Sequence, residues 1–211
     1  MKKITRKKHL EMKLQSIPSH PNPKVGLEQY ATPSVIASDL VWNAHSLGDI
    51  ENKNILDLGC GTGIFTIASA LMGANLACGV DVDDESIRLA RQVSDNLDLG
   101  NADYILSDVC DLNVGFEVDT VIQNPPFGSQ RRAKVGQDLN FIKKACMLKP
   151  SVLYSFHMAS TQEFLLDFYQ AEGLEITHLF RYDFPIPKIY DFHTKEKQNV
   201  NVIVIRALLD F

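Results

Sequence analysis

Residues 124–127 read Asn-Pro-Pro-Phe and close an apolar run over 118–123 that reads as a buried strand ending in a turn. Two adjacent prolines fix φ and remove two backbone donors, so the turn offers carbonyl acceptors in a set direction with no competing N–H group. The side-chain oxygen of Asn124 and the carbonyl of Pro125 can then accept both hydrogens of a planar –NH2 and aim its nitrogen at an electrophile. Pro126 stiffens the turn, and Phe127 offers a face for stacking on the ring or amide plane that carries the amine. Proline turns after strands also occur without any ligand, and this motif alone does not decide between the two.

Upstream, Asn54-Ile55-Leu56-Asp57-Leu58 runs into Gly59-Cys60-Gly61-Thr62-Gly63 and then into Ile64-Phe65-Thr66-Ile67-Ala68, a strand, glycine turn and helix. Backbone N–H groups of such a turn approach a ligand with no Cβ in the way. The spacing is Gly-x-Gly-x-Gly, not the Gly-x-Gly-x-x-Gly of a pyrophosphate loop, and an acid, Asp57, precedes it. Asp-Leu-Gly-Cys-Gly-Thr-Gly resembles the first motif of the S-adenosylmethionine-dependent methyltransferases. That resemblance implies that Asp57, Gly59, Cys60, Gly61 and Gly63 hold the amino-acid end and ribose of the cofactor.

The next apolar run, 76–80, ends in Asp81-Val82-Asp83-Asp84, about 20 residues past the loop, the spacing at which an acid bonds ribose hydroxyls. Asp81 is the candidate, with Val82 beside it. A third run, 104–106, ends at Ser107-Asp108-Val109, where Asp108 can accept from an adenine amino group and the Val109 N–H can donate to a ring nitrogen. Asp83 and Asp84 read as caps of the helix that follows.

These residues need a scaffold, and the chain alternates accordingly. Thr32 reads as an N-cap and Pro33 as the first position of a helix to about His45. Strands are expected near 53–58, 75–80, 103–107, 118–123, 151–157, 174–182 and 199–208, with helices near 63–72, 84–98, 137–148 and 160–172 and Gly100 as a helix stop. This predicts a Rossmann-like α/β fold: a doubly wound, mostly parallel seven-stranded sheet with helices on both faces. A long loop over 183–198 separates its last two strands, which resemble the reversed hairpin that ends methyltransferase sheets. Residues 1–26 are read as a basic arm or helix and 27–211 as one domain, within the size that buries a single core.

The net charge of −5 is uneven: residues 1–24 carry seven basic residues and one acid, leaving the remainder at −11. A basic arm can neutralise phosphates, or it can be the solvated face of a first helix. Arg131, Arg132 and Lys134 follow the proline turn, and Lys188, Tyr190, Phe192, His193, Lys195 and Lys197 interleave cations with aromatics, as single-strand binders do. Cys60, Cys78, Cys110 and Cys146 are scattered and read as small buried hydrophobes, with no metal site among them. No run of 18 apolar residues and no signal-peptide pattern is present, which predicts a cytoplasmic protein without a membrane span.

The chain resembles the methyltransferase-like protein 5 group, the small-subunit ribosomal RNA adenine-N6 methyltransferases. The similarity is carried by Leu27-Glu28-Gln29-Tyr30, Asp57 to Gly61, Asp81-Val82-Asp83, Asp108-Val109, Asn124 to Gly128, Tyr154-Ser155-Phe156-His157, Arg181-Tyr182-Asp183 and Phe192-His193. It implies that Gln29, Tyr30 and Thr32 close over S-adenosylmethionine and that 183–197 borders the substrate pocket. It also implies a partner, a small zinc-binding methyltransferase activator of the Trm112 type, for which the third strand should offer a free sheet edge.

In that chemistry an adenine flipped from its stack sits against Phe127, with N6 held by Asn124 and Pro125. No strong base is needed before transfer, because the nitrogen becomes acidic only once alkylated. His157 at the end of the next strand reads as a packed structural residue. Three other readings use the same parts: a guanine-N2 methyltransferase of ribosomal RNA, a protein glutamine-N5 methyltransferase, and an inactive RNA-binding assembly factor.

Overall fold

Side-chain alternation builds the sheet. In β1 (Asn54–Leu58), Ile55 packs into the core on one face while Leu56 and Leu58 pack into the core on the other. The computed structural model describes residues 4–24, 29–126, 137–187 and 197–209. The other strands are β2 (Leu76–Asp81), β3 (Ala102–Leu106), β4 (Thr120–Gln123), β5 (Val152–Met158), β6 (Glu175–Pro187) and β7 (Lys197–Leu208). They form one seven-stranded sheet in the order β3-β2-β1-β4-β5-β7-β6, with β7 antiparallel to both neighbours and the other pairings parallel. The expected fold, including the reversed closing hairpin, is the one observed.

The helices are α1 (Lys7–Leu14), α2 (Ser34–Ser46), α3 (Ile64–Leu71), α4 (Asp84–Asn96), α5 (Gln137–Met147) and α6 (Gln162–Ala171). Helices α1, α2 and α3 pack on the face of Ile55, Ala77 and Ile122, while α5 and α6 pack on that of Leu56, Val121 and Leu153. Burial on both faces explains why the central strands read as nearly continuous apolar runs. The segment read as a basic arm contributes to this core, since Leu10 and Leu14 of α1 are fully buried. Among the described residues, no helix is long and apolar enough to cross a membrane.

Several boundaries differ from expectation for local reasons. Pro33 is the N-cap of α2, one residue later than expected, and no side chain caps this helix at that position. Gly100 is not the stop of α4. Asp98 takes the left-handed conformation at φ 53°, and the N–H groups of Leu97, Asp98 and Leu99 close the last turn. β6 and β7 pair as far as Pro187 and Lys197, so the connection expected over 183–198 shrinks to 188–196. Cys60 and Cys78 are buried as expected, but Cys110 is exposed and Cys146 only partly covered.

Candidate active site

The strand order reverses direction between β1 and β4, and ligands of open α/β sheets bind beyond the carboxyl ends of strands at such a point. A cavity of about 610 Å³ lies there, within the range of small-molecule sites. It is lined by Gly59 to Thr62 after β1, Asp81 and Val82 after β2, Asp108 to Cys110 after β3 and Asn124 to Pro126 after β4. Gln29, Tyr30 and Thr32 form another wall. Residues expected from five separate stretches of sequence therefore meet in one space.

The glycine loop is pinned by the end of β2. Gly59 and Cys60 N–H groups donate to the Val80 carbonyl at 2.8 and 2.9 Å, and the Gly61 N–H donates to the Asp81 carboxylate at 2.8 Å. Gly63, at φ 85°, opens α3 in a left-handed conformation costly for any residue with a Cβ. Gly79, unnoticed in the sequence, matters for space: a Cβ there would lie 2.7 Å from Thr66 Oγ1 and 2.8 Å from both Cys60 Sγ and Tyr104 Cδ1.

Asp57 and Gly63 stand behind the loop, not on the cavity wall. The Asp57 carboxylate accepts from the Thr66 N–H at 2.9 Å and the Thr66 hydroxyl at 2.7 Å, tying β1 to the first turn of α3. Its burial pushes the carboxyl up to about 7 against those two bonds. Asp81 is also raised, again chiefly by burial, although the Asp83 and Gly61 N–H groups oppose the shift. Burial drives the Cys60 thiol well above its usual range, the setting of an inert structural cysteine.

Asp83 caps α4 as expected, accepting from the Ser86 N–H at 3.0 Å. Its buried carboxylate also accepts from His20 Nε2 at 2.8 Å and from the Lys24 ammonium. Burial alone would raise this carboxyl, but the bonds from Lys24, His20 and Ser86 hold it far below the usual range. The contact straps residues 17–20 across the cavity, so that Ile17, Pro18 and His20 join its lining. Sequence reasoning missed these residues; His20 is 63 positions from Asp83, and no local pattern marks the pair. Asn140 and Phe141 were missed as well. The placement of a helix directly after the proline turn was the available signal, since its first turns must face the same sheet edge.

Asn124 stands on the cavity wall with its amide only half satisfied. Its Nδ2 donates to Thr32 Oγ1 at 3.1 Å, while its buried Oδ1 has no partner. Gln29 is complementary: its Oε1 accepts from the Lys24 N–H at 2.7 Å, and its buried Nε2 has no partner. Among the described residues the pocket wall thus carries an unpaired amide oxygen and an unpaired amide nitrogen, and buried polar groups are usually hydrogen-bonded to protein, water or a ligand. With Asp81 and Asp108 on the same wall, it suits a molecule that is cationic and rich in hydrogen-bonding groups, as S-adenosylmethionine is. His157 is buried, with its Nε2 3.1 Å from the Tyr169 hydroxyl, in the structural setting expected. Phe127, Arg131, Arg132, Lys134, Lys188, His193 and Lys195 lie outside the described residues.

Known proteins resemble this chain along most of its length. Residues 36–151 match the methyltransferase small domain family. An uncharacterized protein of Methanocaldococcus jannaschii is 37% identical over 96% of this chain and 94% of its own. The rRNA N(6)-adenosine-methyltransferase METTL5 of Danio rerio is 34% identical over 94% of this chain and 97% of its own. A Pyrococcus horikoshii crystal structure provisionally assigned as an RNA methyltransferase superposes with a TM-score of 0.88 at 37% identity, covering 99% of this chain and 100% of that one. A glycine loop pinned to β2, an unpaired Asn124 oxygen and full-length relatives of this kind lead to one conclusion: the chain is an S-adenosylmethionine-dependent methyltransferase of the small domain family and belongs to the METTL5 group.

Proposed function

We propose that the protein methylates N6 of an adenine in small-subunit ribosomal RNA, taking the base flipped from its stack into the Asn124-Pro125-Pro126-Phe127 turn. The observation that carries this reading is the buried, unpartnered Oδ1 of Asn124, held by the Thr32 hydroxyl so that the amide presents an acceptor to the cavity. That oxygen and the Pro125 carbonyl accept the two N6 hydrogens, draw the lone pair out of conjugation and orient it. Phe127 stacks on the base. The Danio rerio relative is named for this reaction, which supports the choice of atom and polymer.

S-adenosylmethionine supplies an electrophilic methyl carbon on a positively charged sulfur. Gly59, Cys60 and Gly61 bring backbone close to its amino-acid end, and Asp81 bonds the ribose. Val82 and Val109 flank the adenine, Asp108 accepts from its amino group, and Gln29, Tyr30 and Thr32 cover it. Asp57 and Gly63 serve the same site by fixing the loop from behind. The proton released after transfer leaves to water, because nothing must remove it beforehand. Arg131, Arg132, Lys134, Lys188, His193 and Lys195 are assigned to the RNA backbone. A small zinc-binding activator is assigned to β3, the sheet edge at which Leu106 is 53% exposed, by addition of a strand.

The test is transfer of labelled methyl from S-adenosylmethionine to ribosomal RNA of a strain lacking the gene, with the activator present, followed by nucleoside analysis. Labelled N6-methyladenosine is the expected product. N2-methylguanosine would move the substrate to the other exocyclic amine, and label confined to protein would make the turn a reader of glutamine.

A further inference from the structure

Behind the amine-accepting turn lies a second line of buried polar groups that the reaction as described does not use. Gln123, the residue before Asn124, is fully buried, and its Nε2 donates to Ser155 Oγ at 2.9 Å. The Ser155 hydroxyl interacts with the phenol of Tyr169. The Tyr169 hydroxyl is 3.1 Å from His157 Nε2, and the two rings meet edge to face at 5.9 Å. His157 Nδ1, buried and without a hydrogen bond, faces Asp138 Oδ2 at 3.7 Å.

From Gln123 to His157 the donors run one way, and the His157–Asp138 end is an ion-pair contact at 3.7 Å. With the Tyr169 hydroxyl donating to Nε2, the imidazole carries its proton on Nδ1, the side turned to the carboxylate. Gln123 closes β4, and Asp138 lies in the first turn of α5. The line therefore joins the strand that enters the Asn124 turn to the helix whose Asn140 and Phe141 line the same cavity. Its contributors come from β4, β5, α6 and α5, with Gln123, Ser155, Tyr169 and His157 buried and Asp138 at the partly exposed end.

We propose that Gln123, Ser155, Tyr169, His157 and Asp138 act as positioning residues for methyl transfer, setting the Asn124 acceptor and the start of α5 at a fixed separation. This rests on the reading of Asn124 as the amine acceptor. Reacting atoms must be held near the productive distance, and a shift of about 1 Å originating far from the chemistry costs on the order of 100-fold in rate. The line touches neither cofactor nor base, so its effect falls on kcat.

The experiment pairs two tyrosines that each lose one buried hydroxyl. Tyr169→Phe keeps the ring against His157 and cuts the line; Tyr154→Phe removes a hydroxyl bonded to Asp49 at 2.5 Å, away from the cavity. In Tyr169→Phe, kcat falls about tenfold or more with cofactor affinity and RNA KM unchanged. Hydrogen exchange at the Asn124 and Leu139 amides also rises about tenfold. In Tyr154→Phe, kcat and those exchange rates stay at the wild-type level. His157→Gln, which keeps an acceptor for Tyr169, recovers most of the kcat lost in His157→Leu.

Wild-type kcat in Tyr169→Phe overturns the proposal. So does an equal loss of kcat, cofactor affinity and melting temperature in both tyrosine variants, which would make the line a core staple only. If the wild-type enzyme methylates no RNA, the adenine reading falls by itself. The exchange comparison still decides this proposal, and unchanged exchange in Tyr169→Phe rejects it.

Discussion

Two buried polar groups of similar size sit at opposite ends of the sheet and are built on opposite principles. Around Asp49, every partner is supplied by the chain. Its carboxylate accepts from Arg206 Nε at 2.8 Å, Arg206 Nη2 at 3.0 Å and the Tyr154 hydroxyl, while Arg206 Nη1 reaches Thr177 Oγ1 at 2.6 Å. Around Asn124, the chain leaves gaps, since Asn124 Oδ1, Gln29 Nε2 and, one layer back, Gln123 Oε1 have no partner. A satisfied network fixes a core; an incomplete one is costly to the empty protein and is repaid only by what binds. The first group should therefore govern stability and the second activity.

The strongest way to break this comparison is Arg206→Leu. It leaves the Asp49 carboxylate buried without its partner and is expected to cost about 3–5 kcal/mol in denaturant unfolding. The kcat of the protein that remains folded should be unchanged, and a loss of kcat at constant stability would reverse the assignment. Asn124→Ala is the mirror case. Transfer should fall about 10²–10³-fold, by analogy with the loss of one aligned polar group at a reacting centre. Cofactor affinity should hardly move, and the melting temperature should fall only by the loss of the Asn124 Nδ2 to Thr32 Oγ1 bond, because the lost oxygen had no partner among the described residues.

Asp81→Ala sharpens the division inside the site. It removes an acceptor that holds the Gly61 N–H as well as a ribose ligand, and cofactor Kd measured by calorimetry should rise about tenfold or more, with the melting temperature affected second. The smallest effect concerns Asp57. Its folded carboxyl, raised to about 7 from 3.8, binds its proton more tightly than the unfolded chain does. The associated stability is complete below pH 3.8 and is lost as pH rises toward about 7. Asp57→Asn should flatten the stability profile across that window, as followed by thermal melts at stepped pH; an unchanged slope would place the titration elsewhere.

What could be read in the sequence was whatever lies close together along it. The Gly59 to Thr62 loop, the Asp83 cap and Asn124 to Pro126 are local patterns with a local physical cause and stand where expected, while Asp57 and Gly63 sit behind the loop and not on the wall. The strap from His20 and Lys24 to Asp83 was illegible, since a lone histidine among polar neighbours carries no periodicity. Thr32 was read as a helix cap because it precedes Pro33, yet its hydroxyl serves Asn124, 92 residues away. The line from Gln123 to Asp138 hid for the same reason: its members lie in four separate segments, and only packing brings the five together.

The place of β7 has a consequence for how the molecule is made. Synthesis delivers β6 before β7, yet β7 lies between β5 and β6 and makes all of β6's ladder. Until it emerges, β5 has an open edge and β6 has no partner, so two hydrogen-bonding borders wait for a segment still inside the ribosome. Arg206, on that same strand, reaches Asp49 at a separation of 157 residues. The late arrival thus completes the sheet and closes the most distant ion pair of the described chain in one step.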